Sequence, residues 1–168
     1  MDLYRKGSYI MKKITLLLSV LLCSASGHAA IYCQSELKNQ SIKDSIKVRQ
    51  NCSLENLIIH GDIILENGAQ VSLKNNHIKG NITSNAKFKA LAASDNIIKG
   101  NINISRGQSI DLKTNDIQGD IILQHNTGVI KLYNNDIAGD LVCNSNAFTI
   151  NGSKNSVIGD KKQQCQTF

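Results

Sequence analysis

Proline and tryptophan are both missing from the 168 residues, and aromatics make up only 4% of them. Without proline there is no Pro-rich linker, and no low-complexity block divides the chain. Beyond residue 30 the aromatics reduce to Tyr32, Phe88, Tyr133, Phe148 and Phe168, too few for a platform that stacks sugar rings. Charged residues are sparse, at 19%. No Cys-x-x-Cys pair and no glycine-rich strand-to-helix loop occurs, so a structural zinc site and a phosphate cradle lack their usual motifs. Apolar residues at helical spacing are missing as well, and the threonines Thr83, Thr114, Thr127 and Thr149 do not align into an ice-binding array.

The single apolar run lies near the start. Met11-Lys12-Lys13 is positive, Ile14 to Leu22 is apolar, and Ser24 to Ala30 is small and polar. That order is the order of a bacterial secretory signal peptide, too short for a membrane span. The expected plan is an upstream extension over 1–10, a signal peptide over 11–30 cleaved after Ala30, and a mature domain over 31–168. A lipoprotein reading at Cys23 would place Leu22 where a small residue is needed. Processing removes Arg5, Lys6, Lys12 and Lys13 with only Asp2, which lowers the net charge from +6 to +3. No nucleic-acid partner and no transmembrane segment are therefore expected in the mature chain, and its expected location is periplasmic or secreted.

What the chain does have is a repeat. A Gly-Asp or Gly-Asn pair recurs at Gly61, Gly80, Gly100, Gly119, Gly139 and Gly159, at steps of 19 or 20 residues. A period of this length is the mark of a solenoid. Two residues before each glycine stands Ile59, Ile78, Ile98, Ile117, Ile137 or Val157. Two residues after the first five stands Ile63, Ile82, Ile102, Ile121 or Leu141. Apolar and polar residues alternate within each segment, and branched aliphatics dominate, which predicts short half-buried strands. The fold class expected is all-β, a single-domain parallel β-helix of about 20 residues per coil and six to seven coils.

Asn76, Asn96, Asn115, Asn135 and Asn155 lie four residues before their glycines. They are expected to form a structural ladder at a sharp corner, using the tolerance of Asn for left-handed backbone. Segments such as Glu66 to Ala69 and Ser105 to Gly107 are expected to form another corner. The first coil (Ser41 to Val48) has Asp44 in place of glycine, and the last has Gly152 and Lys161 in place of aliphatics; such degraded end repeats read as caps, over 31–52 and 143–168.

Four cysteines survive processing, Cys33, Cys52, Cys143 and Cys165, and an even count in an exported chain suggests disulfides. Cys33 to Cys52 and Cys143 to Cys165 are each about one repeat apart, which favours those two bridges among the three pairings. A four-thiolate zinc site is the rival reading.

The ending Asn155-Ser156-Val157-Ile158-Gly159-Asp160-Lys161-Lys162-Gln163-Gln164-Cys165 and the coils before it, roughly 44–165, resemble a family of small secreted bacterial proteins. Their V-x-G-N-V-type repeats close on N-x-V-x-G-D-K-x-x-Q-C. The resemblance implies a right-handed helix. A looser similarity is to the bactofilins, polymer-forming β-helices with G-D-I repeats.

No catalytic, cofactor or metal residue is nominated. Asp62, Asp120, Asp140 and Asp160 form a row broken by Asn81 and Asn101, and read as corner acids. His60, His77 and His125 read as surface histidines, and the column His60, Lys79, Lys99 as balanced by the neighbouring acids. The function expected is a non-enzymatic exported module that presents rigid faces to an envelope protein or glycan. A small hydrolase or lyase on a cell-wall or matrix polysaccharide, and a filament former, are the alternatives. The outward column three residues after each glycine reads Ile64, Thr83, Asn103, Ile122 and Val142, apolar at both ends but not in the middle. Ile64, Ile122 and Val142, with the irregularity at Lys87 and Lys89, mark the candidate partner surface, and a monomer or weak lateral dimer is expected through Ile122 and Val142.

Overall fold

The computed structural model describes residues 30–168. The expected extension, Cys23 and all of the expected signal peptide except Ala30 lie outside the described residues. Every described element is a strand, and all strand pairs are parallel. Three sheets form the walls of the solenoid. The first has eight strands, from Ile31–Tyr32 through Ile63–Leu65 and Ile102–Ser105 to Lys161–Gln163. The second has seven, from Glu36–Lys38 through Ala90–Ser94 to Asn151–Ser153. The third has seven two-residue strands, from Ser41–Ile42 through Ile97–Ile98 to Ser156–Val157. The chain visits the sheets in that order once per coil.

Register follows the repeat. Ile63, Ile82, Ile102, Ile121 and Leu141 stand opposite one another in the first sheet, and Ile59, Ile78, Ile98, Ile117 and Ile137 in the third. Each column is fully buried, so one aliphatic core runs the length of the molecule. Because the side-chain period is two, a slip of one residue would turn the whole core outward.

The repeat glycines answer to a close approach. A Cβ on Gly100 would lie 2.5 Å from Gly80 O, and one on Gly119 would lie 2.7 Å from Gly100 O. Only glycine lets consecutive coils stack this closely at the corner between the third and first sheets. The irregular stretch Asn85 to Ala93 has a packing cause. Phe88 is 1% exposed, and its ring occupies the space over Gly107, where a Cβ would meet Phe88 Cε1 at 2.7 Å.

The expected disulfides are present, Cys33–Cys52 with a Cα separation of 6.0 Å and Cys143–Cys165 with 5.3 Å. Their placement differs from a simple column contact. Glu36 stands opposite Ser53, which puts Ser35 rather than Cys33 beside Cys52, and Cys143 stands opposite Gln163, so neither bridge joins register partners. Cys33 follows the Ile31–Tyr32 strand of the first sheet, and its bridge ties that sheet to the second. Cys165 lies in the turns after the last strand and folds back under the core, fully buried. Phe168 completes this lid. Its ring lies over Gly152, and its backbone oxygen accepts from Lys161 Nζ.

Candidate functional site

Polar ladders run along the corners, and three of them accept backbone N–H groups of a neighbouring coil. In the first, each of Asn76, Asn96, Asn115 and Asn135 is buried, and its Oδ1 accepts the backbone N–H of the equivalent residue one coil earlier. The Nδ2 group donates to a strand carbonyl, as from Asn115 to Ala93 O at 2.9 Å, and to the next Asn Oδ1, as from Asn115 to Asn135 at 2.9 Å. Both ends of the amide are used, and an acid cannot replace it. The expectation that these residues are themselves left-handed is corrected. Positive φ falls on the residue before each, Asn75, Asp95, Thr114, Asn134 and Lys154, because the ladder Asn must aim inward.

A second ladder escaped the sequence reading. At the corner between the first and second sheets, Gly107 N–H donates to Asn126 Oδ1, Asn126 N–H to Asn146 Oδ1, and Asn146 N–H to Gln164 Oε1. Three members are too few to stand out as a period, though the 20-residue step from Asn126 to Asn146 was there to see. The third ladder uses the residues after the glycines. Asp62 Oδ1 accepts from Asn81 N–H, Asn81 Oδ1 from Asn101, Asn101 Oδ1 from Asp120, Asp120 Oδ1 from Asp140, and Asp140 Oδ1 from Asp160. Only an oxygen acceptor is required here, which is why Asp and Asn alternate freely.

The ending motif now reads as a device. Asn155 closes the first ladder, Gly159 permits the last close approach, Asp160 closes the third ladder, Gln164 the second, and Cys165 locks the lid.

The closest thing to a catalytic arrangement is Ser41, His60 and Lys79. Ser41 Oγ lies 3.5 Å from His60 Nε2, and Lys79 Nζ lies 3.3 Å from His60 Nδ1. A charged lysine can only donate, so Nδ1 accepts and the ring proton sits on Nε2. That nitrogen then donates to Ser41 instead of withdrawing its proton, the reverse of what a general base does. No group of three or more His, Cys, Asp or Glu poised for a metal occurs among the described residues. Lys79 and Lys99 make no ion pair with the corner acids among the described residues. The acids turn to backbone N–H groups, and the one ion-paired lysine of that row is Lys162, with Asp140 at 2.6 Å and Asp160 at 3.4 Å. This contact holds the Asp140 carboxyl below the usual carboxylate range, helped by the Asp160 N–H.

The outer face of the first sheet holds an open groove of about 530 Å³ beside the corner with the second sheet. Thr83, Asn85, Asn103 and Gln124 line it, with Ile64 and Glu66 at one end. Of the expected partner residues, Ile122 and Val142 are register neighbours, half-buried. Ile64 is separated from them by Thr83 and Asn103, in the register that the repeat predicts. Lys87 and Lys89 are exposed on either side of Phe88. At the N-terminal end of the same sheet Arg49 lies 4.2 Å from the Tyr32 ring centre, donates to Tyr32 Oη at 2.7 Å, and pairs with Glu66.

Compared with known protein families, curated proteins and solved structures, the chain matches none of them. Two disulfides point to an oxidising compartment outside the cytoplasm. No helix among the described residues is long and apolar enough to cross a membrane.

Proposed function

We propose that the protein is an exported, non-catalytic β-helix module, related to the small secreted bacterial β-helix proteins, whose first-sheet groove binds a partner at the cell envelope. The groove carries this reading. Thr83, Asn103 and Gln124, on strands fixed by the ladders around them, and Asn85, just past the Ile82–Ser84 strand, offer hydroxyl and amide groups that make no hydrogen bond within the described chain. Uncommitted amides and hydroxyls on a rigid surface suit a hydroxyl-rich glycan better than an apolar peptide. Lys87 and Lys89 stand at the neighbouring corner, where they can meet acidic substituents.

The test is a glycan array probed with processed protein, followed by Asn103→Ala/Gln124→Ala. The expected result is binding without turnover, weakened at least about tenfold by the double change, or roughly 1.4 kcal/mol. Turnover of a bound polymer, or binding indifferent to the groove, would overturn the reading. Export is tested separately: expressed from Met11 in a bacterium, the chain should leave the cytoplasm with Ile31 as its first residue.

A further inference from the structure

The outward side of the third sheet carries two columns of side chains. One runs Ile58, His77, Ile97, Asp116 and Asp136 in register. The other, two residues further on in each coil, runs Lys43, His60, Lys79 and Lys99, then Gln118 and Ala138. The face is thus basic in its N-terminal half and acidic in its C-terminal half.

That segregation places like charges side by side. Asp116 stands opposite Asp136 across one strand spacing, and Lys79 lies one coil from Lys99. Like charges directly opposite destabilise a sheet, whereas alternation would have neutralised the face within one chain. The ion pairs of the described residues lie elsewhere and involve none of Lys79, Lys99, Asp116 or Asp136. On the same face Ile58 and Ile97 are 48% and 42% exposed.

We propose that this face is a self-complementary surface for a second copy of the chain. The two copies pack with their solenoid axes reversed about a two-fold axis parallel to the strands. Each basic half then lies on the other's acidic half, so every contact is made twice. Lys79 and Lys99 reach Asp116 and Asp136 of the second copy, and Ile58 and Ile97 are covered. The face is about 30 Å long by the strand spacing and two columns wide. It falls short of the roughly 800 Å² per partner of a standard-size stable interface. The dimer is therefore reversible, with register set by charge and affinity sensitive to salt.

Light scattering and sedimentation over a concentration series test this on processed protein. The expected result is a monomer–dimer equilibrium at low ionic strength that shifts to monomer as salt rises. Asp116→Lys/Asp136→Lys and Lys79→Glu/Lys99→Glu should each be monomeric, with melting curves that show both are folded. Mixed in equal amounts, the two variants should form a heterodimer. Wild-type protein that stays monomeric throughout, a dimer that survives either reversal, or folded variants that fail to associate when mixed would each overturn the proposal.

Discussion

Asn115 and Asn135 share two hydrogen bonds through one oxygen: Asn135 Oδ1 accepts both the Asn115 backbone N–H at 3.1 Å and the Asn115 Nδ2 group at 2.9 Å. The geometry needs an amide at Asn115, because its Nδ2 also feeds Ala93 O. Asn115→Asp removes that donor and sets a carboxylate against Asn135 Oδ1 in the interior. A loss of about 3 kcal/mol is expected by chemical denaturation, since buried groups left unsatisfied cost roughly 1–3 kcal/mol each. Asn101→Asp, in the ladder that needs only an acceptor, should change stability by less than about 1 kcal/mol. Equal losses at both positions would refute the distinction between the ladders.

Phe88 and Gly107 are expected to be coupled. Phe88→Ala empties a space at the core edge and should cost about 3–4 kcal/mol. Gly107→Ala drives a methyl group into the ring and should cost about 1–3 kcal/mol. Combined, the two changes should cost clearly less than their sum, because the methyl then enters the vacated space. A double-mutant cycle by urea unfolding reads this directly, and strict additivity would deny the contact.

Much of the fold was legible because a solenoid writes its contacts into the sequence at a fixed step. The aliphatic columns, Gly61 to Gly159 and both disulfide pairs could be read that way. The details that escaped depend on direction rather than period. Whether Asn96 or Asp95 takes the left-handed backbone is settled by which side chain must aim inward. That Cys143 faces Gln163 instead of Cys165 follows from the chain turning under the core after the last strand. Gln164, which ends a ladder of asparagines, is a different residue type and breaks the pattern it completes. The groove was the least legible feature: Thr83 and Asn103 share one repeat position, but Asn85 and Gln124 join them from other positions, and no period marks that combination.

The disulfides close segments with sequence separations of 19 and 22 residues, each worth about 3 kcal/mol on the chain-entropy account. Cys143→Ser/Cys165→Ser should release the lid formed by Cys165 and Phe168. Hydrogen exchange is then expected to quicken in Asn151–Ser153 and Lys161–Gln163 while Ile102–Ser105 keeps its protection. Uniform loss of protection along the solenoid would show instead that the coils unfold as one unit.

Asp140 gives the acid limb a local reporter. Its carboxyl is depressed first by the hydrogen bond from Lys162 and next by the Asp160 N–H. A carboxylate whose folded pKa lies below its unfolded value contributes stability above the unfolded value, and that contribution fades as pH falls through the folded one. The effect is confined to pH below about 4, the ordinary carboxylate range, and is small because the pair is open to solvent. Lys162→Met should therefore raise the Asp140 midpoint toward its ordinary value, as read from its carboxyl carbon resonance. Some depression should remain, because Asp160 N–H still donates to Oδ1. An unchanged midpoint would assign the shift to the ladder alone, and a full return to the ordinary value would deny the ladder any part in it.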